Sequence, residues 1–190
     1  MAEIEGLVRA LREGDDAAKM TAARELSNLA YANSARAIAE AGGVPLLVDF
    51  LRDGSADTKW QAAWTLRSLA YTNAANRVLI AEAGGIPPLV ELLRDGNAAA
   101  KNAAVWALAS LASNNDANAV AIAATAGFEA LVQLARRGRV TVGNAFLGPV
   151  VRNAGVPAKR KAALIVAALL RDCVPDSVPR ELKALIGPYL

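Results

Sequence analysis

Histidine is absent from the 190-residue sequence, cysteine occurs once, at Cys173, and aromatic residues make up only 5%. Without histidine, catalysis by Ser–His–Asp or Cys–His groups is excluded, and so are most zinc sites. A single cysteine cannot form an internal disulfide bond, so Cys173 is interpreted as a small, partly buried thiol near a helix end. We therefore predict a protein that is not an enzyme and that uses no metal or other cofactor.

Long apolar runs are also missing. The longest, Ala162 to Leu170, has nine residues, whereas a membrane-spanning helix needs about 20. Residues Met1 to Glu5 show no basic start followed by an apolar stretch, so no secretory signal is expected. These observations predict a chain without a transmembrane segment, located in the cytoplasm, the nucleus or both.

Alanine is abundant, with 44 residues, within a hydrophobic fraction of 54%. It is the strongest helix former, and small side chains let helices approach closely. The sequence also repeats itself, since Gly84 to Ala126 follows the pattern of Gly42 to Ala83 at a shift of 42 residues. A fixed period of about 42 residues is typical of an α-solenoid with two or three helices in each unit.

The ends of the predicted helices are marked at the same offset in both units. Gly42-Gly43 and Gly84-Gly85 break one helix, and proline follows in the first turn of the next. At the next joint, Gly54-Ser55 and Gly96-Asn97 supply a glycine that ends this helix and a residue that caps a longer one. Stop and start signals that recur at one spacing predict separate helices packed in series.

The period divides the chain into units. In the first unit, Asn33 and Ser34 are expected to begin a short helix that ends at Ala41. From Val140 to Pro157, glycine and proline interrupt the helical pattern. We predict one domain, 1–190, with repeats at about 3–41, 42–83 and 84–126, a degenerate repeat at 127–171 with an insertion at about 139–157, and a C-terminal capping segment at 172–190.

Several motifs carry a resemblance to a known family. They are GGVPLLVDFLRDG and GGIPPLVELLRDG, then QAAWTLRSLA and AVWALASLA, then NRVLIAEAGG. Over roughly residues 3–138 the sequence resembles armadillo repeats. This resemblance implies an all-α fold, a right-handed α-solenoid of three-helix repeats, in which the third helix of each repeat lines a concave groove. In that family the groove usually holds an extended peptide or a partner protein.

A second stripe of residues, separate from the core positions, follows the long helix of each unit. In the middle unit it has the spacing i, i+4, i+8 and i+11. The predicted groove residues are Arg24, Asn28 and Tyr31, then Trp60, Trp64, Ser68 and Tyr71, then Asn102, Trp106 and Ser110; Met20 and Ser113 complete the pattern. An aromatic residue on a non-core face favours a binding surface. The alternative is that Trp60, Trp64 and Trp106 fill gaps between neighbouring repeats.

The resemblance implies roles for some of these residues. Trp64 and Trp106 match the family's tryptophan, whose ring walls pockets for long side chains of the ligand. Asn28 matches the family's asparagine, whose amide bonds the ligand backbone, whereas Ser68 and Ser110 replace it in the other units. A hydroxyl is too short to clamp an amide in the same way. This departure argues against binding of nuclear-import cargo.

The C-terminal part of the chain is strongly basic. No acidic residue occurs between Ala130 and Arg171, although the net charge of the whole chain is only +3. Such asymmetry predicts an acidic protein, an anionic membrane surface or nucleic acid as a partner, and few interleaved aromatic residues disfavour nucleic acid. The predicted basic patch comprises Arg136, Arg137, Arg139, Arg152, Lys159, Arg160 and Lys161.

These patterns leave three functions open. The leading one is a non-enzymatic scaffold or adaptor that binds an extended peptide or a partner protein in the groove. The second is an electrostatic adaptor that docks through the basic patch, and the third is the substrate-binding arm of a ubiquitin-ligase complex. Self-association through the ends of the solenoid is a further expectation.

Overall fold

The computed structural model describes residues 2–71 and 73–112, together with 115, 117–118, 121–122 and 125. Every regular element in this part of the chain is helical, which confirms the predicted all-α class. The helices are α1 (Ala2–Glu13), α2 (Asp16–Leu29), a π-helix (Ala30–Ser34), α3 (Ala35–Glu40), α4 (Gly43–Asp53), α5 (Ala56–Tyr71), α6 (Ala74–Glu82), α7 (Ile86–Asp95) and α8 (Ala98–Ala112).

The three long helices begin as the capping residues predict. The side-chain oxygens of Asp15, Ser55 and Asn97 each accept a hydrogen bond from the backbone N–H three residues later, at 2.8, 3.3 and 2.9 Å. Each bond satisfies one of the N–H groups that a helix start leaves without an intrahelical partner. The joints that recur in the sequence are therefore true helix boundaries.

The glycine pairs make the turn into α4 and into α7. Gly42 has φ 81° and Gly84 has φ 75°, in the left-handed region that other residues rarely adopt. The chain thereby reverses within one residue, and α7 follows with proline in its first turn. This confirms the prediction of a sharp glycine turn at both places.

The first unit differs from the prediction at its short helix. Asn33 and Ser34 do not begin a new helix, because the chain continues from α2 through the π-helix into α3, and Ser34 makes no side-chain capping bond. Ten residues lie between Tyr31 and Gly42, whereas twelve lie between Tyr71 and Gly84. A wide π turn spans the shorter segment and replaces a separate helix start.

The helices stack in rows. The long helices α2, α5 and α8 pack side by side, with α5 in contact with both others, and α1, α4 and α7 form a second row. Ala23, Ala63 and Ala104 are completely buried in the long-helix row, where small side chains permit close contact. One continuous core results, and its largest fully buried side chains are Leu11, Leu26, Ile38, Leu47, Leu66, Leu69, Ile80, Leu89, Leu93 and Leu111.

Successive units are also joined by a buried asparagine. The Nδ2 atom of Asn76 donates to the carbonyl of Leu69 at the end of α5 (3.1 Å) and to the carbonyl of Ala35 in the preceding unit (3.0 Å). Asn118 makes the equivalent two bonds one unit later, each at 3.0 Å. The amide thus fixes the spacing between units, a role that the sequence analysis did not assign.

We expect Asn76→Ala to lower the free energy of unfolding by about 1–3 kcal/mol, because two buried carbonyls lose their donor. The measurement is the midpoint of urea denaturation followed by circular dichroism. Asn28→Ala is the control, because Asn28 is exposed and such a change should stay within about 0.5 kcal/mol. Equal midpoints for the two variants would contradict a structural role for Asn76.

None of the helices in the described part of the chain is long and apolar enough to cross a membrane. The predicted degenerate repeat, its insertion and the capping segment lie outside the described residues. The basic patch, from Arg136 to Lys161, lies outside them as well.

Candidate functional site

One face of the long-helix row carries exposed apolar side chains. Among the described residues, the large hydrophobic side chains that stay exposed are Met20 (37%), Tyr31 (48%), Tyr71 (56%) and Val78 (44%). Three of the four occupy the predicted stripe, and Val78 lies on α6. A folded chain rarely leaves large apolar groups clustered in water without a partner for them.

The tryptophans of this face are neither fully exposed nor fully buried. Trp60, Trp64 and Trp106 all have intermediate exposure. Trp60 and Trp64 pack in part against the core. The indole rings therefore take part in packing, as the gap-filling alternative expects, and still present surface to solvent.

An arginine that the sequence analysis overlooked stands at the centre of this face. The guanidinium carbon of Arg67 lies 4.7 Å from the ring centroid of Trp64, 5.4 Å from that of Trp106, 5.7 Å from that of Tyr71 and 5.8 Å from that of Tyr31. These four rings are called the ring cluster below. Arg67 Nη1 also donates a hydrogen bond to the Tyr31 hydroxyl. Contact with several rings at once stabilises the cation by cation–π attraction.

Two tyrosines close one end of the ring cluster. The rings of Tyr31 and Tyr71 lie 6.5 Å apart at a tilt of 54°. Arg77 is buried and fixes the end of α5, because its Nε donates to the carbonyl of Ala70 (2.9 Å) and its Nη2 to that of Tyr71 (3.0 Å). A cation that bonds the last carbonyls of a helix stabilises that end. The backbone that carries Tyr71 is thereby held in place.

Because α2 covers the side of α5 that carries Ser68, helical geometry puts Arg67 on the side that stays open. At about 100° per residue, Arg67 lies about 20° from the direction of Trp60, whereas Ser68 lies about 80° from it. The candidate face, called the aromatic face, comprises Met20, Arg24, Asn28 and Tyr31, then Trp60, Trp64, Arg67 and Tyr71, then Asn102 and Trp106.

The structure corrects the prediction for two groove residues, Ser68 and Ser110. Ser68 is 1% exposed, and its hydroxyl bonds the Ser27 hydroxyl (2.8 Å) and donates to the carbonyl of Trp64 (3.1 Å). Ser110 is 7% exposed and donates to the carbonyl of Trp106 (2.9 Å). The prediction that these hydroxyls line the groove is wrong, because both side chains are buried and both hydroxyls are hydrogen-bonded within the protein.

Asn28 stays exposed because no helix in the described part of the chain covers that side of α2, whereas α2 itself covers Ser68 on α5. Arg24 is exposed too, and its Nε lies 3.8 Å from a carboxylate oxygen of Glu25. That both residues belong to a groove stays a prediction. Their side chains are accessible to a partner.

Two buried polar atoms of the aromatic face lack a hydrogen-bond partner. They are Nε of Arg67, a donor, and Oδ1 of Asn102, an acceptor, and no other such side-chain atom occurs among the described residues. A buried polar group without a partner costs free energy, so such groups are rare in folded proteins. Both atoms therefore mark this face as less fully satisfied than the core.

A cleft of about 280 Å³ lies elsewhere, where the joint between α4 and α5 meets the joint between α7 and α8. It is open and mainly lined by the residues of those joints, including the exposed carboxylates of Glu91 and Asp95. Three of the lining residues already have a structural role, because Gly54 and Gly96 end helices and Asn97 caps the next one. The aromatic face is the better candidate site.

Ser68→Ala tests this placement. We expect a loss of about 1 kcal/mol in the free energy of unfolding, because the buried Ser27 hydroxyl is left without a partner, and no change in ligand binding. The double variant Ser27→Ala/Ser68→Ala should recover part of the loss, since both polar groups are then removed together. Weaker ligand binding by folded Ser68→Ala would instead place the hydroxyl in the groove.

The family model for the Armadillo/beta-catenin-like repeat matches residues 33–71 and 73–113. Each match begins near the short helix and ends with the long one, so the first covers α3, α4 and α5 and the second covers α6, α7 and α8. The predicted units 42–83 and 84–126 are a few residues longer and begin at the glycine turn. Both tryptophans at equivalent places, Trp64 and Trp106, fall within the last helix of a matched repeat.

Solved structures of the same fold span the chain. An engineered protein superposes with a TM-score of 0.74 at 28% identity, over 100% of this chain and 68% of that one. A designed armadillo repeat protein in complex with the peptide (KR)4 superposes with a TM-score of 0.67 at 20% identity, over 98% of this chain and 87% of that one. The armadillo repeats only protein from Plasmodium falciparum gives a TM-score of 0.63 at 19% identity, over 89% and 67%.

The fold and its exposed row of long helices define an α-solenoid repeat protein. The predicted resemblance to armadillo repeats is confirmed, because residues 33–71 and 73–113 match the repeat model and solved armadillo repeat structures share the fold of the chain. A search of curated proteins gave no match.

Proposed function

We propose that this protein is a non-enzymatic interaction scaffold that binds an extended segment of a partner protein across its aromatic face. The observation that carries this proposal is the ring cluster, in which Trp64, Trp106, Tyr31 and Tyr71 stay partly or largely open to solvent around Arg67. Of the leucines in α2, α5 and α8, all but the partly buried Leu29 are buried. Aromatic and arginine side chains of this kind supply most of the binding energy in protein interfaces.

The aromatic face also offers hydrogen bonds to a peptide backbone. An asparagine amide can donate and accept at once, which suits the N–H and C=O groups of an extended strand. Asn28 is exposed at one end of the face, and Asn102 is half-buried at the other end. Because the two flank the ring cluster, a bound segment can be fixed along its length while its side chains contact the rings.

The size of the face suits a short segment. Helices packed ~8–10 Å apart put α2 and α8 about 20 Å from each other. An extended chain advances ~3.3 Å per residue, so a segment of about six residues crosses the three described long helices, α2, α5 and α8.

The designed armadillo repeat protein that is bound to (KR)4 shares the fold at 20% identity. This complex supports the proposal that an armadillo surface binds a peptide. The peptide sequence (KR)4 belongs to that designed protein and is not transferred to this chain. The ligand of this chain has to be inferred from its own residues.

We expect Trp64→Ala and Trp106→Ala each to weaken binding by about 30-fold or more, because both indoles are anchors at the centre of the face. Ligands come from a random peptide library displayed on phage and selected on the immobilised full chain. Affinities are then measured by fluorescence anisotropy with the selected peptides.

Phe50→Ala is the matched control. Phe50 is a half-buried aromatic residue of α4 with Lys19 Nζ 5.7 Å from its ring centroid, so it resembles the tryptophans in burial and in cation contact but lies outside the aromatic face. It should affect stability without weakening binding. The proposal fails if the library yields no peptide above background, or if Phe50→Ala weakens binding as much as Trp64→Ala does.

A further inference from the structure

We infer that Arg67 receives a carboxylate of the bound segment, so that the aromatic face selects acidic partner segments and excludes lysine and arginine side chains from the ring cluster. This inference rests on the proposed function and names the chemistry of the ligand. It is argued from the charge, the hydrogen bonds and the surroundings of Arg67.

Arg67 lacks a counter-ion in the described part of the chain. The ion pairs found there join Arg24 to Glu25, Arg36 to Glu40, Arg52 to Asp49 and Arg94 to Asp95, and none involves Arg67. Arg67 is also half-buried, whereas the other arginines of these pairs are exposed. An arginine that is partly withdrawn from water and has no acidic neighbour attracts an anion more strongly than an exposed, paired one.

The ring cluster stabilises the charge of Arg67 but accepts only one hydrogen bond from its guanidinium. A guanidinium has five N–H donors. Within the described residues one bond is formed, from Nη1 to the Tyr31 hydroxyl, and Nε has no partner. Ring faces attract the cation without accepting ordinary hydrogen bonds. A carboxylate supplies two strong acceptors in the planar geometry that arginine matches.

The same arrangement rejects a basic ligand. Aromatic clusters attract cations, but this one already holds the guanidinium of Arg67 within 5.8 Å of four rings. A lysine or arginine side chain of a ligand would have to displace Arg67 or lie beside an uncompensated positive charge. No residue of the aromatic face is acidic. On α2, the carboxylate that follows this face most closely in sequence is that of Glu25, which pairs with Arg24.

A carboxylate fits this site better than a phosphate group. Phosphate recognition commonly uses several arginines around about two negative charges. On the described aromatic face Arg67 is the one unpaired arginine, because Arg24 lies 3.8 Å from Glu25. One unpaired cation matches the single charge of an aspartate or glutamate side chain.

The test extends the peptide selection to variants of Arg67. Peptides selected on the full wild-type chain should carry Asp or Glu at a common position. Replacement of that residue by Asn or Gln should weaken binding to the wild type by about 30-fold, the loss typical of a buried charge pair that loses one partner. The same peptide change should have no effect on Arg67→Met, because the charge it would contact is gone.

Arg67→Met should also bind lysine-containing peptides more tightly than the wild type does, since the ring cluster is then vacant. Arg94→Met is the matched control, because Arg94 is on α7, away from the aromatic face, and pairs with Asp95 at the surface. It should leave the acidic preference unchanged. Arg67→Gln serves as a second variant should Arg67→Met lose its helical circular dichroism signal.

The outcomes separate the inference from the proposed function. If no peptide binds the wild type more tightly than Trp64→Ala/Trp106→Ala, both are overturned. If peptides bind through the tryptophans but lack a common acidic residue, or if the peptide change weakens binding to Arg67→Met equally, the inference alone is overturned. Displacement of the acidic peptide by inorganic phosphate, at concentrations at which acetate has no effect, would also overturn it in favour of a phosphoryl ligand.

Discussion

The close packing of α2, α5 and α8 is the constraint on which the rest of the structure depends. Alanine fills the points of contact, as at Ala23, Ala63 and Ala104, and all three are completely buried. Small side chains at the contacts leave room between helices for short polar groups, such as the bonded hydroxyls of Ser27 and Ser68. Bulky side chains of the same helices therefore occupy either the core or the open face.

Polar groups in the interior specify how one unit follows another. Asn76 and Asn118 bond the end of a long helix and the preceding unit at the same time. Thr65 likewise donates to the carbonyl of Ala23 across two neighbouring long helices, at 2.9 Å. Because each bond satisfies a buried carbonyl, a shift of one unit along its neighbour would leave several polar groups unpaired. The rigid row that results can hold the aromatic face in one arrangement before a ligand binds.

The aromatic face is less well satisfied than the interior. Arg67 has cation–π contacts in place of an ion pair, and Asn102 has a buried oxygen with no partner. Sites whose polar groups are completed by a ligand commonly depart from the full internal satisfaction of a core. Here the departure lies beside exposed Tyr31 and Tyr71, which can supply apolar contact area.

The sequence by itself determined the helices, their joints and the repeated unit, because glycine turns, capping residues and the spacing of apolar positions act within a few residues of the chain. It also singled out Trp64, Trp106 and Tyr71, whose rings the structure brings together around Arg67. Only the tertiary structure decided that Ser68 is buried and Arg67 takes its place, since that depends on which side of α5 is covered by Ser27, 41 residues away. The same holds for Asn76, whose partner Ala35 is also 41 residues distant, because contacts of this range leave no mark on local periodicity.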